Sequence, residues 1–131
     1  MAQPGLIRNF SAASIIAANR LVAVDVAADF AVTLAVDAST VVAGATEQGS
    51  DEHLRVDVVM TQSAPVEFGE TLTAGTWIVP DAQGRAVAFD PANFVAATQV
   101  HLVGWAMEDG IEGTIGDVFL MPQLLATIPT V

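Results

Sequence analysis

From Leu21 onward, apolar residues come in short β-branched runs, broken by Asp, Gly, Pro, Asn or Ser roughly every 8 to 12 residues. The runs are RLVAVDV, FAVTLAV, STVVAGA, LRVDVVM, PVEF, TWIVP, RAVAF, QVHLVGWAM and GDVFLMP. In LRVDVVM, the side chains of Leu54, Val56, Val58 and Met60 share one face and those of Arg55 and Asp57 the other. A slip of one residue would carry both charges into the core, so the register is strongly set. The expected fold is all-β: one compact β-barrel or sandwich with an extended N-terminal arm and at most one short helix.

Turn residues place the connections. In VPDAQGRAVAF, residues 79–89, Pro80 and Asp81 suit the first positions of a turn and Gly84 suits a positive φ. The segment predicts a hairpin that sets strand register, with a tip available to a neighbouring protomer. Gly110, Gly113 and Gly116 punctuate a second connection between two strong strands. The short helix is expected in DPANFVAATQ, 90–99, where Asp90 suits a cap and Pro91 the first helical position.

The ends differ from the body. Residues 1–20 open with Pro4 and Gly5 and contain the Ala-rich stretch SAASIIAAN, which reads either as an N-terminal arm or as an ordinary first strand plus loop. The body spans 21–122. Pro122 and Pro129 exclude a long closing helix, so 123–131 reads as an extended C-terminal tail.

Composition narrows the function. The 131 residues suffice for one domain. Lys is absent, and four Arg stand against fifteen carboxylates for a formal net charge of −11. Such a surface repels phosphate, which argues against direct nucleic-acid binding and against an anionic membrane. Cysteine is absent, which removes disulfides, thiolate nucleophiles and cysteine-based metal sites. The apolar pieces of the N-terminus are too broken for a signal peptide or a spanning helix, so synthesis in the cytoplasm is expected.

The search for chemistry finds little. His53 lies beside Asp51 and Glu52 in SDEHLR, but adjacent residues point apart and make no dyad. His101 sits in an alternating strand without announced partners. EDGIEGTIGD supplies Glu108, Asp109, Glu112 and Asp117, yet its spacing does not fit an EF-hand loop and reads as a Gly-rich hairpin. No nucleophile elbow, phosphate loop or dinucleotide fingerprint is present. No enzyme activity, cofactor or metal is expected.

Three segments, IRNFSAASIIAANRLVAV, RVDVVMTQSAPVEFGETLTAGTWIVPDAQGRAVAF and VGWAMEDGIEGTIGDVFLMP, follow one another in an order and spacing that resemble the small β-rich bacteriophage capsid decoration, or head cement, proteins. TVVAGATEQGSDEHL and the residues beyond Pro122 depart from that pattern. The resemblance implies a virion protein on the outer surface of the capsid. It would bind the major capsid protein as a homotrimer and tie neighbouring subunits together against the pressure of packaged DNA. On that basis Leu6, Ile7, Arg8 and Phe10 are the candidate capsid-binding arm, with Arg8 as the charged contact. Ile7 and Phe10 packing on this protein's own barrel or on a neighbouring protomer of the trimer is the competing reading. Trp77, Trp105 and Phe89 are candidates for the trimer interface, and Ile78 and Phe119 for interface or core. The alternatives are a receptor- or glycan-binding β module, for which the chain has no Tyr and only two Trp, and a small hydrolase built on His53 or His101.

Overall fold

A computed structural model of the chain describes residues 4–51, 54–94 and 99–125. Ten strands form two layers. The first is a closed barrel of β1 (Ile7–Ala12), β2 (Arg20–Val24), β3 (Ala31–Leu34), β4 (Val42–Thr46) and β5 (Arg55–Val59), in the order β1-β3-β2-β4-β5. The second is a sheet of β6 (Gln62–Glu67), β7 (Trp77–Pro80), β8 (Ala86–Ala88), β9 (Val100–Ala106) and β10 (Ile115–Leu125), in the order β6-β10-β9-β7-β8. Among the described residues the one helical element is a 3-10 turn, Pro91–Phe94, where the Asp90 carboxylate accepts the Ala92 amide at 3.0 Å. No helix of the described residues is long and apolar enough to cross a membrane.

Of the two readings of residues 1–20, the described part takes the strand. β1 closes the barrel, pairing antiparallel with β5 from Ile7↔Val59 to Ser11↔Arg55 and parallel with β3 at Ser11↔Ala31 and Ala12↔Val32. Its backbone is paired along the whole β5 edge and, at Ser11 and Ala12, on the β3 edge as well. The outer limit of the body also moves. β10 runs past Pro122, where the tail was expected to begin, and pairs Gln123, Leu124 and Leu125 with Leu102, His101 and Val100. This is possible because the register shifts between Leu120 and Gln123, which puts Pro122 in an irregularity where its missing N–H removes no ladder bond. Residues 126–131 lie outside the described part.

The main core lies between barrel and sheet. Leu21, Ala45 and Val59 from the barrel pack with Val66, Phe68, Ile78, Val103 and Val118 from the sheet side, all essentially sealed from solvent. A second cluster, including Phe10, Val22, Val32, Val56 and Val58, fills the barrel. The edges of the sheet are covered. Phe68 bridges Ala86 of β8, the Gly69 amide donates to the Ala86 carbonyl at 2.8 Å, and the Glu70 carboxylate accepts the Ala88 amide at 2.8 Å. On the opposite edge, Asn19 holds the Pro65 carbonyl and accepts the Glu67 amide. Neither edge presents a free ladder for strand addition.

The hairpin tip at 81–85 is docked within the protomer. The Leu21 amide donates to the Gly84 carbonyl at 2.7 Å, which fastens the β7–β8 hairpin to β2 of the barrel. Gly84 has φ 74°, and a Cβ there would lie 2.6 Å from Leu34 Cδ1. The backbone of the tip thus joins the two layers, while the side chains of Ala82 and Gln83 stay exposed.

Candidate functional site

Polar groups with chemistry in the sequence serve structural ends. His101 is half-buried on β9, with its amide donating to the Ala38 carbonyl at 2.8 Å, and His53 lies outside the described residues. In the acidic loop, Glu108 Oε2 accepts the Asp117 amide at 3.0 Å and Asp109 Oδ1 accepts the Ala74 amide at 2.8 Å. Among the described residues no group of three His, Cys, Asp or Glu side chains is arranged to hold a metal ion.

The charge that remains is a cluster across the two layers. Arg20 Nη1 meets Glu67 Oε1 at 2.9 Å, Arg85 Nη1 meets Glu67 Oε2 at 3.7 Å, and Arg85 Nε meets Asp81 Oδ2 at 2.9 Å. Glu112 reaches Arg85 at 3.9 Å. The hydrogen bond that Arg85 donates to Asp81 raises the Arg85 pKa further above its ordinary value, with the charges of Asp81, Glu112 and Glu67 adding to it. The cluster cross-links barrel to sheet and fixes the hairpin.

The other side of the sheet carries an apolar face, part of which packs inward: Phe89, Leu102 and Leu125 join Ala38, Val79 and Val100 in a third core cluster. Trp77 on β7 lies opposite Trp105 on β9, and Trp105 lies opposite Phe119 on β10, so the three share the side of the sheet facing away from the core. The neighbouring positions Ile78, Ala106 and Val118 point the other way, into the core. The Trp105 and Phe119 rings stack tilted, with centroids 5.2 Å apart. Beside them, Trp77, Phe89, Leu102, Met121, Gln123 and Leu125 line a groove of about 500 Å³. Among the described residues no charged side chain lines it. Trp77 is 37% exposed and Met121 44%. Gly104 makes the arrangement possible: its φ is 156°, and a Cβ there would lie 1.8 Å from the Phe119 carbonyl oxygen, so β9 and β10 approach too closely for any side chain.

Trp77, Trp105 and Phe89, singled out by residue type, thus fall on one face; Ile78 does not and is core. Leu102, Met121 and Leu125 were not legible as part of it, because the irregular register of β9 against β10 decides which side chains reach this side of the sheet, Met121 exposed and Leu102 buried beneath the groove.

The second surface lies at β1. Leu6 and Ile7 are about half exposed and Arg8 is exposed, whereas Phe10 is only 8% exposed and packs inside the barrel with Val56 and Val58. Phe10 is therefore removed from the candidate contacts, for its ring is committed to the barrel core. Arg8 lies over the Phe30 ring, 5.2 Å from the centroid. Phe30 did not figure among the sequence candidates because nothing in its neighbours signals the left-handed backbone, φ 51°, that turns it outward.

No protein-family model matches the chain, and no curated protein matches it. Among solved structures, the fold is similar to the N base of the head fiber protein gp8.5 of bacteriophage phi29, with a TM-score of 0.65 and 20% sequence identity. The similarity covers 88% of this chain and 93% of that one, so the two-layer arrangement is shared nearly from end to end.

Proposed function

We propose that this chain is a structural protein of a bacteriophage virion, seated on the outside of the head, where it cements neighbouring major capsid protein subunits. The fold shared with the N base of a phage head fiber over most of both chains carries this reading. The resemblance of its ordered β segments to head cement proteins supports it independently. A structural role also accords with the carboxylates of Asp81, Glu108 and Asp109, which are spent on turns and cross-links.

Two surfaces divide the task. Copies carrying a net charge of −11 repel one another, and contact costs least where no carboxylate intrudes. The uncharged groove of Trp77, Phe89, Leu102 and Met121 meets that condition and offers large aromatic anchors, so it is the copy-to-copy interface of a homotrimer. The exposed Leu6, Ile7 and Arg8 then face the capsid. Each contact is weak, but a trimer bound to several subunits at once releases only when all let go.

Co-sedimentation with undecorated heads of the encoding phage tests the reading. Saturable pelleting at a fixed ratio to capsid subunits is the expected result. A protein left in the supernatant at all concentrations would overturn it.

A further inference from the structure

The end of the barrel carries an arrangement that packing does not require. Phe30 adopts φ 51°, a left-handed backbone that a bulky side chain disfavours, and its ring is 62% exposed, so no burial offsets the strain. The position is held firmly. Its carbonyl accepts the Ser11 amide at 2.9 Å at the start of the β1–β3 pairing, and the preceding loop is tied by Asp25, whose carboxylate accepts the Ala27 amide at 3.0 Å. Arg8, three residues before Ser11 on β1, lies against the ring. A guanidinium in cation–π contact with a ring keeps N–H donors for a further partner. Arg20 and Arg85 hold Glu67 and Asp81, and Arg55 donates to Asn9; among the described residues Arg8 has no carboxylate at ion-pair distance.

We infer that Arg8 and Phe30 form a preset clamp for a carboxylate, an Asp or Glu that the major capsid protein presents next to an apolar side chain, with Leu6 as the apolar rim. This rests on the head-surface reading above. Charge selects the occupant. Over most of this acidic surface a partner carboxylate is repelled, so the guanidinium held over Phe30 gives docking both an attractive point and an orientation. Contact with the ring also limits the rotamers that Arg8 would otherwise lose on binding.

The test compares the parent with Arg8→Gln and Phe30→Gly for binding to undecorated heads over a salt series, with thermal midpoints measured alongside. Phe30→Gly removes the ring and relieves the left-handed backbone, so its midpoint should equal or exceed the parent's. Both variants should bind heads about tenfold or more weakly. Parent binding should weaken as salt rises, and Arg8→Gln binding should respond less. Either variant binding as tightly as the parent overturns the clamp while leaving the head-surface reading intact. A parent that ignores heads removes both.

Discussion

Asp81 and Arg85 close their hairpin twice: the Asp81 amide donates to the Arg85 carbonyl at 2.9 Å, and Arg85 Nε returns to the Asp81 carboxylate at 2.9 Å. Asp81 Oδ1 also accepts the amides of Gln83 and Arg85, at 2.9 and 2.8 Å. One carboxylate therefore organises the whole turn, and the turn fastens sheet to barrel through Gly84 and Leu21. Asp81→Ala should lower unfolding free energy by about 2 kcal/mol, because it leaves the Gln83 and Arg85 amides without their acceptor. Urea denaturation of parent and variant measures it; a change within error would show that the turn holds without its carboxylate.

Gly104→Ala should be far more damaging. The added Cβ would overlap the Phe119 carbonyl, which can move only if β9 and β10 separate. The loss should reach about 4 kcal/mol or more, most of the stability of a domain at the low end of the usual range of about 5–15 kcal/mol. Soluble yield and circular dichroism read it directly, and a well-folded variant would contradict the close approach of the two strands.

Much of this architecture is legible in the chain. The run RVDVV shows its two faces because its charges alternate with buried valines, and VPDAQGRAVAF shows its hairpin because Pro80, Asp81 and Gly84 each suit one position of the turn. What escapes the sequence is non-local. β1 pairs with β5 nearly fifty residues away, and IRNFSA turns its first three side chains to solvent, so no local pattern marks it as a barrel strand. The apolar face is partly legible: Trp77 and Trp105 stand out by type, but only strand register sets them opposite one another. Phe30 is invisible, since its role depends on a backbone conformation rather than on a neighbour in sequence.

Trp77→Glu should leave the fold intact, for the ring is partly exposed and its removal opens no cavity in the main core. It should shift the mass in solution from trimer to monomer, because it places a carboxylate in the uncharged groove of an already acidic protein. Light scattering at matched concentrations reads the change. A variant with the parent's mass would place the copy-to-copy contact elsewhere.

The Asp37 carboxyl titrates below its ordinary value of 3.8, chiefly because the Ser39 hydroxyl donates to it, with the Ser39 amide adding a second bond. A depressed folded-state pKa contributes stability that is present above the unfolded value and lost as pH falls through the folded one. Ser39→Ala should raise the Asp37 pKa toward 3.8 and shrink this contribution at neutral pH, leaving stability at the acid end of the range little changed. Carboxyl-carbon NMR titration follows the group itself; an unchanged midpoint in the variant would refute the assigned cause.

Electron cryomicroscopy of heads with and without the bound protein tests the central claim most directly. The account predicts added density on the outer surface, in copies of three, with the Trp77 and Trp105 faces turned toward one another and Arg8 toward the shell. Heads unchanged by saturating protein, or density confined to the interior, would contradict it.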